Sequence, residues 1–74
     1  MNKSRDDQFL VAFGANLRKI RKEKKLSMEK LAQTAGIEYS QVSDIEHGNI
    51  NTTISTVLLI SKALNIPTKD LFDF

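Results

Sequence analysis

The sequence predicts an all-α fold. Apolar residues recur at helical spacing along the chain, Gly and Pro are few, and no stretch alternates in the manner of a strand. At 74 residues and 41% hydrophobic content, residues 1–74 are expected to form a single domain, near the size at which a core is adequate without being generous. No internal repeat, low-complexity tract or linker divides the chain, and residues 1–8 are expected to form a flexible N-terminal segment.

The first helix carries Phe9, Phe13, Leu17 and Ile20 along one side and is expected to end near Lys25, with Leu26 anchoring the turn. Ser27 can accept from the free N–H groups of a second helix, and Glu29 adds negative charge at its positive pole. Met28, Leu31, Ala32 and Ala35 fall on one stripe of that helix, and Gly36 suits the positive φ that closes it. Ile37 plugs the turn. Val42 and Ile45 then mark the buried side of a third helix that stops near His47 and Gly48. Residues 27–48 thus read as two short helices joined by a tight turn and crossing steeply. A polar loop, Asn49 to Thr52, leads to Thr53 as the cap of a fourth helix with Ile54, Val57, Ile60 and Leu64 inward. Pro67 interrupts, and Thr68 to Phe72 makes a short fifth helix.

With Val42 and Ile45 facing the core, the third helix turns Ser40, Ser43, Asp44 and His47 outward, with Tyr39 at the N-terminal edge. Polar residues on the outside of a helix need no function. The same face, with small hydroxyls, one planar aromatic and one acceptor, can also enter a major groove and meet base edges.

The run Phe13-Gly14-x-x-Leu17-Arg18-x-Ile20-Arg21, followed by Leu26-Ser27, Leu31-Ala32, Ala35-Gly36-Ile37, Val42-Ser43, Ile45-Glu46-x-Gly48 and Ala63-Leu64, resembles the Cro/Xre-type helix-turn-helix family of bacterial and phage repressors, controller proteins and antitoxins. The resemblance covers Phe13 to Phe72. It implies a lambda-repressor-like DNA-binding domain, a compact five-helix bundle whose third helix docks in the major groove. Carried over by position, it implies base reading by Tyr39, Ser40, Ser43 and Asp44, and phosphate contacts from Ser27, His47, Asn49, Asn51 and Thr52. Tyr39 has an equal alternative, packing over the helix edge near Val42. Asp44 can accept from a cytosine amino group or serve to reject other bases. The resemblance also implies a structural ion pair between Arg21 and Glu46 that sets the angle between helices.

A net charge of +2 hides an uneven distribution. Arg18, Lys19, Arg21, Lys22, Lys24 and Lys25 crowd the end of the first helix against one acid, Glu23. Cations there suit the helix dipole, so part of the cluster is structural. Lys24 and Lys25, at the turn into Ser27, are the two best placed for phosphate if the family's docking geometry applies, whereas Arg18, Lys19 and Lys22 read as solvated. Residues 27–48 hold Glu29, Glu38, Asp44 and Glu46 against Lys30 alone, which is unfavourable beside DNA. Met28 stands where the family often has a phosphate-gripping Gln, and Glu38 where it has a small polar cap, so the third helix is expected to begin poorly capped.

With no cysteine and one histidine, neither a disulfide framework nor a metal site is expected, and no cofactor is implied. An enzyme is not expected, because no nucleophile–base pair or phosphate loop exists. The longest apolar run, Phe9 to Phe13, is far too short to span a membrane, and the polar start is not expected to be a secretion signal. A cytoplasmic protein is expected. Leu58 and Leu59 exceed what one buried stripe can use, and with Phe72 and Phe74 they suggest a homodimer interface. The reading is a sequence-specific transcriptional regulator, a dimeric repressor or small controller protein on a pseudo-palindromic double-stranded operator. The alternative is an antitoxin-like interaction module that holds a partner such as a toxin, with DNA contact secondary.

Overall fold

The structure is a computed structural model that describes residues 5–49 and 52–74. It contains α1 (Arg5–Glu23), α2 (Met28–Ala35), α3 (Tyr39–Glu46), α4 (Ile54–Leu64) and a 3-10 turn (Thr68–Phe72). The expectation of five helices is therefore corrected to four and a turn. Five residues after Pro67 close only short-range bonds, such as Asp70 N–H to the Pro67 carbonyl at 3.0 Å. Of the expected flexible segment 1–8, residues 1–4 lie outside the described residues, and residues 5–8 belong to α1, with Asp6 and Asp7 in the first turn where the dipole favours acids.

Each of the four helices ends on one residue with positive φ: Lys25, Gly36, Gly48 and Asn65. In each case the next residue donates its N–H back across the last turn: Leu26 to Arg21, Ile37 to Ala32, Asn49 to Asp44 and Ile66 to Ser61, at 2.9–3.2 Å. This double-bonded stop satisfies carbonyls that a helix end would leave open. It also reverses the chain, which sends Leu26, Ile37 and Ile66 against the core. At the starts, Ser27 Oγ accepts from Lys30 N–H at 3.0 Å and Thr53 Oγ1 from Thr56 N–H at 3.1 Å. The poorly capped start expected for α3 is corrected by Gln41, whose Oε1 accepts from Glu38 N–H at 2.9 Å and closes that end from the inside.

One core joins Phe13 and Leu17 of α1, Leu31 and Ala32 of α2, Val42 and Ile45 of α3, Val57, Ile60 and Leu64 of α4, and Leu71 of the turn. Two inward expectations fail. Ile54 is 88% exposed, since α4 buries its face only from Val57 onward, and Phe9 is half exposed, covered on one side by Phe72 and Phe74. Two buried polar residues escaped the sequence reading. Asn16 donates to the Asp70 and Leu71 carbonyls at 3.0 and 2.9 Å, tying the 3-10 turn to α1. Ser61 donates to Leu58 O at 2.8 Å, so the contact with Thr68 Oγ1, also 2.8 Å, must use the threonine proton.

Helices α1 and α3 touch at the backbone. A Cβ on Gly14 would collide with the Ile45 carbonyl and lie 2.7 Å from Glu46 O, so only glycine permits this approach. About two turns further along α1, Arg21 meets Glu46 with Nε to Oε2 at 2.6 Å and Nη2 to Oε1 at 3.0 Å, while Nη1 donates to Leu26 O at 2.8 Å. Both side chains are almost wholly buried. The hydrogen bond to Glu46, opposed by burial, raises the Arg21 pKa above its ordinary value. Because free arginine already titrates above about 12, this contribution is complete at neutral pH and is lost only in strong alkali.

Two outcomes are expected in urea denaturation. Gly14→Ala should lower the unfolding free energy by about 1–3 kcal/mol, the cost of overpacking, although alanine is the better helix former by about 1 kcal/mol; a stabilised variant would refute the backbone contact. Arg21→Met and Glu46→Leu should each cost about 3 kcal/mol or more through the charge left behind, and the double variant should cost clearly less than their sum. Additive losses would mean that the pair is not coupled.

Candidate nucleic-acid interface

The geometry above leaves α3 buried on one side by Val42 and Ile45 and open on the other. Tyr39 is 47% exposed, so about half of it is open to solvent. Ser40 and His47 are exposed, while Ser43 and Asp44 are half-buried on the same face. The Ser43 carbonyl takes the His47 backbone N–H at 3.1 Å and its ring Nδ1 at 2.6 Å. A carbonyl can only accept, so the ring proton sits on Nδ1 and Nε2 is left for an outside group.

The residues expected to grip phosphates flank this face. Ser27 is exposed at the start of α2, and its oxygen is used by the cap while its proton remains free to donate. Lys24 and Lys25 are exposed in the preceding turn, where Lys25 takes φ 59°. Asn49 is exposed after α3 and Thr52 is half-buried before α4. Asn51 lies outside the described residues. Gly48 holds this end of α3 against α1, since a Cβ there would come within 2.8 Å of Val11 Cα.

Asn49 departs from the pattern of the other helix ends. Leu26, Ile37 and Ile66 follow their turning residues into the core, whereas Asn49 takes the same backbone bonds and presents its amide to solvent. Its position is fixed by the backbone and its side chain is free. Gln41 is the contributor that sequence reading missed. Its signal was present, a Gln three residues after the cap position of α3.

Outside α3, Leu58, Leu59, Phe72 and Phe74 are each 40–54% exposed. Phe72 packs at 5.0 Å from Phe13 and Phe74 at 5.3 Å from Phe9, ring centre to ring centre. The patch is thus already ordered within one chain. No group of metal ligands and no helix long and apolar enough to cross a membrane occurs among the described residues.

Comparison with known proteins agrees with this geometry. The helix-turn-helix family profile matches residues 17–71. Control protein C.BamHI of Bacillus amyloliquefaciens is 43% identical over 65 residues, which is 86% of this chain and 80% of that protein. The immunity repressor protein of Bacillus phage phi105 is 38% identical over 56 residues, 76% of this chain but 39% of the repressor. The crystal structure of the restriction-modification controller protein C.AhdI from Aeromonas hydrophila superposes with a TM-score of 0.84 at 40% identity, covering 85% of this chain and 96% of that one. The chain therefore belongs to the helix-turn-helix family of DNA-binding transcription regulators.

Proposed function

We propose that the protein is a cytoplasmic controller of the restriction-modification type, binding a pseudo-palindromic operator as a homodimer and acting as a repressor. The observation that carries this reading is α3, an eight-residue helix with a polar outer face, held at a fixed angle by Arg21 and Glu46 and flanked at both ends by exposed hydrogen-bond donors. Tyr39, Ser40, Ser43 and Asp44 read base edges, and Lys24, Lys25, Ser27, His47, Asn49, Asn51 and Thr52 grip the backbone. The control proteins among the relatives support this reading over a partner-binding module.

Lys25 adds an argument of its own. A left-handed residue that is not glycine carries roughly 1–2 kcal/mol of backbone strain, and glycine at this turn would relieve it. A cation stands where a stabler residue would fit, as expected of a phosphate contact.

The dimer forms through Leu58, Leu59, Phe72 and Phe74. Beside them lies a groove of about 550 Å³ whose lining is mixed, with Phe9, Phe13, Val57 and Phe72 on its apolar part and Asp6, Asp7 and Thr52 among its polar residues. An apolar patch of this kind on a small chain needs a cover, and a two-fold contact there leaves both copies of α3 free.

Two experiments test the proposal. Selection from random duplexes should enrich half-sites separated by about one helical turn, roughly 34–36 Å. Ser40→Ala and Ser43→Ala should then change the preferred bases, whereas Lys24→Ala should weaken all duplexes alike and reduce the salt slope by about one. Lys25→Gly should weaken binding in the same way while raising stability by about 1 kcal/mol. Failure to enrich any sequence, with no binding at low salt, would return the partner-binding module as the better account. In sedimentation, Leu59→Glu should shift the protein toward monomer at micromolar concentration; a wild-type chain that stays monomeric at high micromolar concentration refutes the dimer.

A further inference from the structure

Arg18 reads as a solvated residue in the sequence, one of six cations near the end of α1. The packing of α1 against α2 and α3 gives it a specific place. With Arg21, Met28, Glu46 and His47, it lines a cavity of about 140 Å³ between the start of α2 and the end of α3. Organic ligands occupy sites of roughly 300–1,000 Å³, so this space suits a compact polar group.

The charges around it are unequal in availability. Each oxygen of Glu46 takes one hydrogen bond from Arg21, through Nε and Nη2, so that pair is internally neutral. Arg18 has no hydrogen bond or ion pair among the described residues. Its guanidinium carries five donors in a planar fork, the geometry that matches two oxygens of a phosphate. Across the cavity stands His47, with Nδ1 committed to the Ser43 carbonyl and Nε2 open. Met28 also lines the cavity, and its neighbour in sequence, Ser27, keeps a hydroxyl proton to donate.

We propose that this cavity seats one phosphodiester of the DNA backbone, gripped by Arg18 from α1 while Met28 of α2 and His47 at the end of α3 bound it. The inference rests on the reading that the chain binds DNA. It adds a contact from a third helix to an interface otherwise built from α2, α3 and the turns beside them. It also gives Arg21 and Glu46 a second consequence: by satisfying each other they leave Arg18 as the uncompensated charge.

The test uses the duplex recovered by selection and the full chain. Arg18 is exposed and has no partner among the described residues, so Arg18→Ala should retain the wild-type melting temperature. It should weaken binding roughly tenfold at moderate salt and lower the salt slope by about one, with Arg18→Lys intermediate because the charge remains and the fork does not. Lys19→Ala, also exposed on α1 but outside the cavity, should change affinity less than twofold. Ethylation interference should find one phosphate per half-site whose ethylation weakens the wild type and leaves Arg18→Ala unaffected. Equal effects of Arg18→Ala and Lys19→Ala, or identical ethylation patterns for wild type and Arg18→Ala, would overturn the inference while leaving DNA binding intact. A wild-type chain that binds no duplex would overturn the DNA reading itself. The Arg18 Nε–H resonance should respond to duplex but not to inorganic phosphate alone; an equal response to both would make this a free-anion site and refute the proposal.

Discussion

The buried contact between Arg21 and Glu46 is the constraint on which the rest of the molecule depends. Three helices meet at one guanidinium: Arg21 belongs to α1, its Nη1 takes the Leu26 carbonyl just before α2, and its other donors hold the last residue of α3. A flexible apolar contact would allow α3 to roll about its axis. A planar fork against a carboxylate does not, because two parallel hydrogen bonds define direction as well as distance. Burial makes the arrangement close to all-or-none, since either charge alone would lie in a poorly solvating interior.

That contact requires Gly14. The pair can close only if α1 and the end of α3 approach at the backbone, and a side chain at position 14 would hold them apart. Glycine costs helix stability by itself, about 1 kcal/mol relative to alanine, so its presence in the middle of a 19-residue helix is explained by packing rather than by local preference. Gly48 makes the matching approach to Val11 at the far side of the same crossing. The α1–α3 contact is thus set by two glycines and one ion pair, and the outward face of α3 inherits its orientation from them.

The rest of the chain surrounds this unit with local devices that repeat. All four helices end on a left-handed residue followed by a backward N–H bond, and where the following residue is apolar the turn is fastened to the core. At Lys25 the turning residue itself, and at Asn49 the residue after it, presents a polar side chain, and both lie at the edges of the α2–α3 unit. Asn16 fastens the C-terminal turn, which brings Phe72 and Phe74 against Phe9 and Phe13 and gathers four aromatic rings.

By itself the sequence determined the features governed by near neighbours. The periodic stripes of α2 and α3, the caps at Ser27 and Thr53 and the stop at Gly36 were legible because a helix and its ends are set by residues within about one turn of each other. The mutual reach of Arg21 and Glu46, 25 positions apart, was legible only through family resemblance. Tertiary structure alone decided what depends on distant packing. It turned Ile54 to solvent although its spacing matched the buried face, and it buried Asn16 under the C-terminal turn. It reduced the fifth helix to a 3-10 turn and moved Arg18 from an anonymous charge run to the wall of a cavity. The physical reason is the same in each case: helical spacing assigns a residue to a face, but whether that face meets a core, a neighbouring helix or water depends on which elements fold against it.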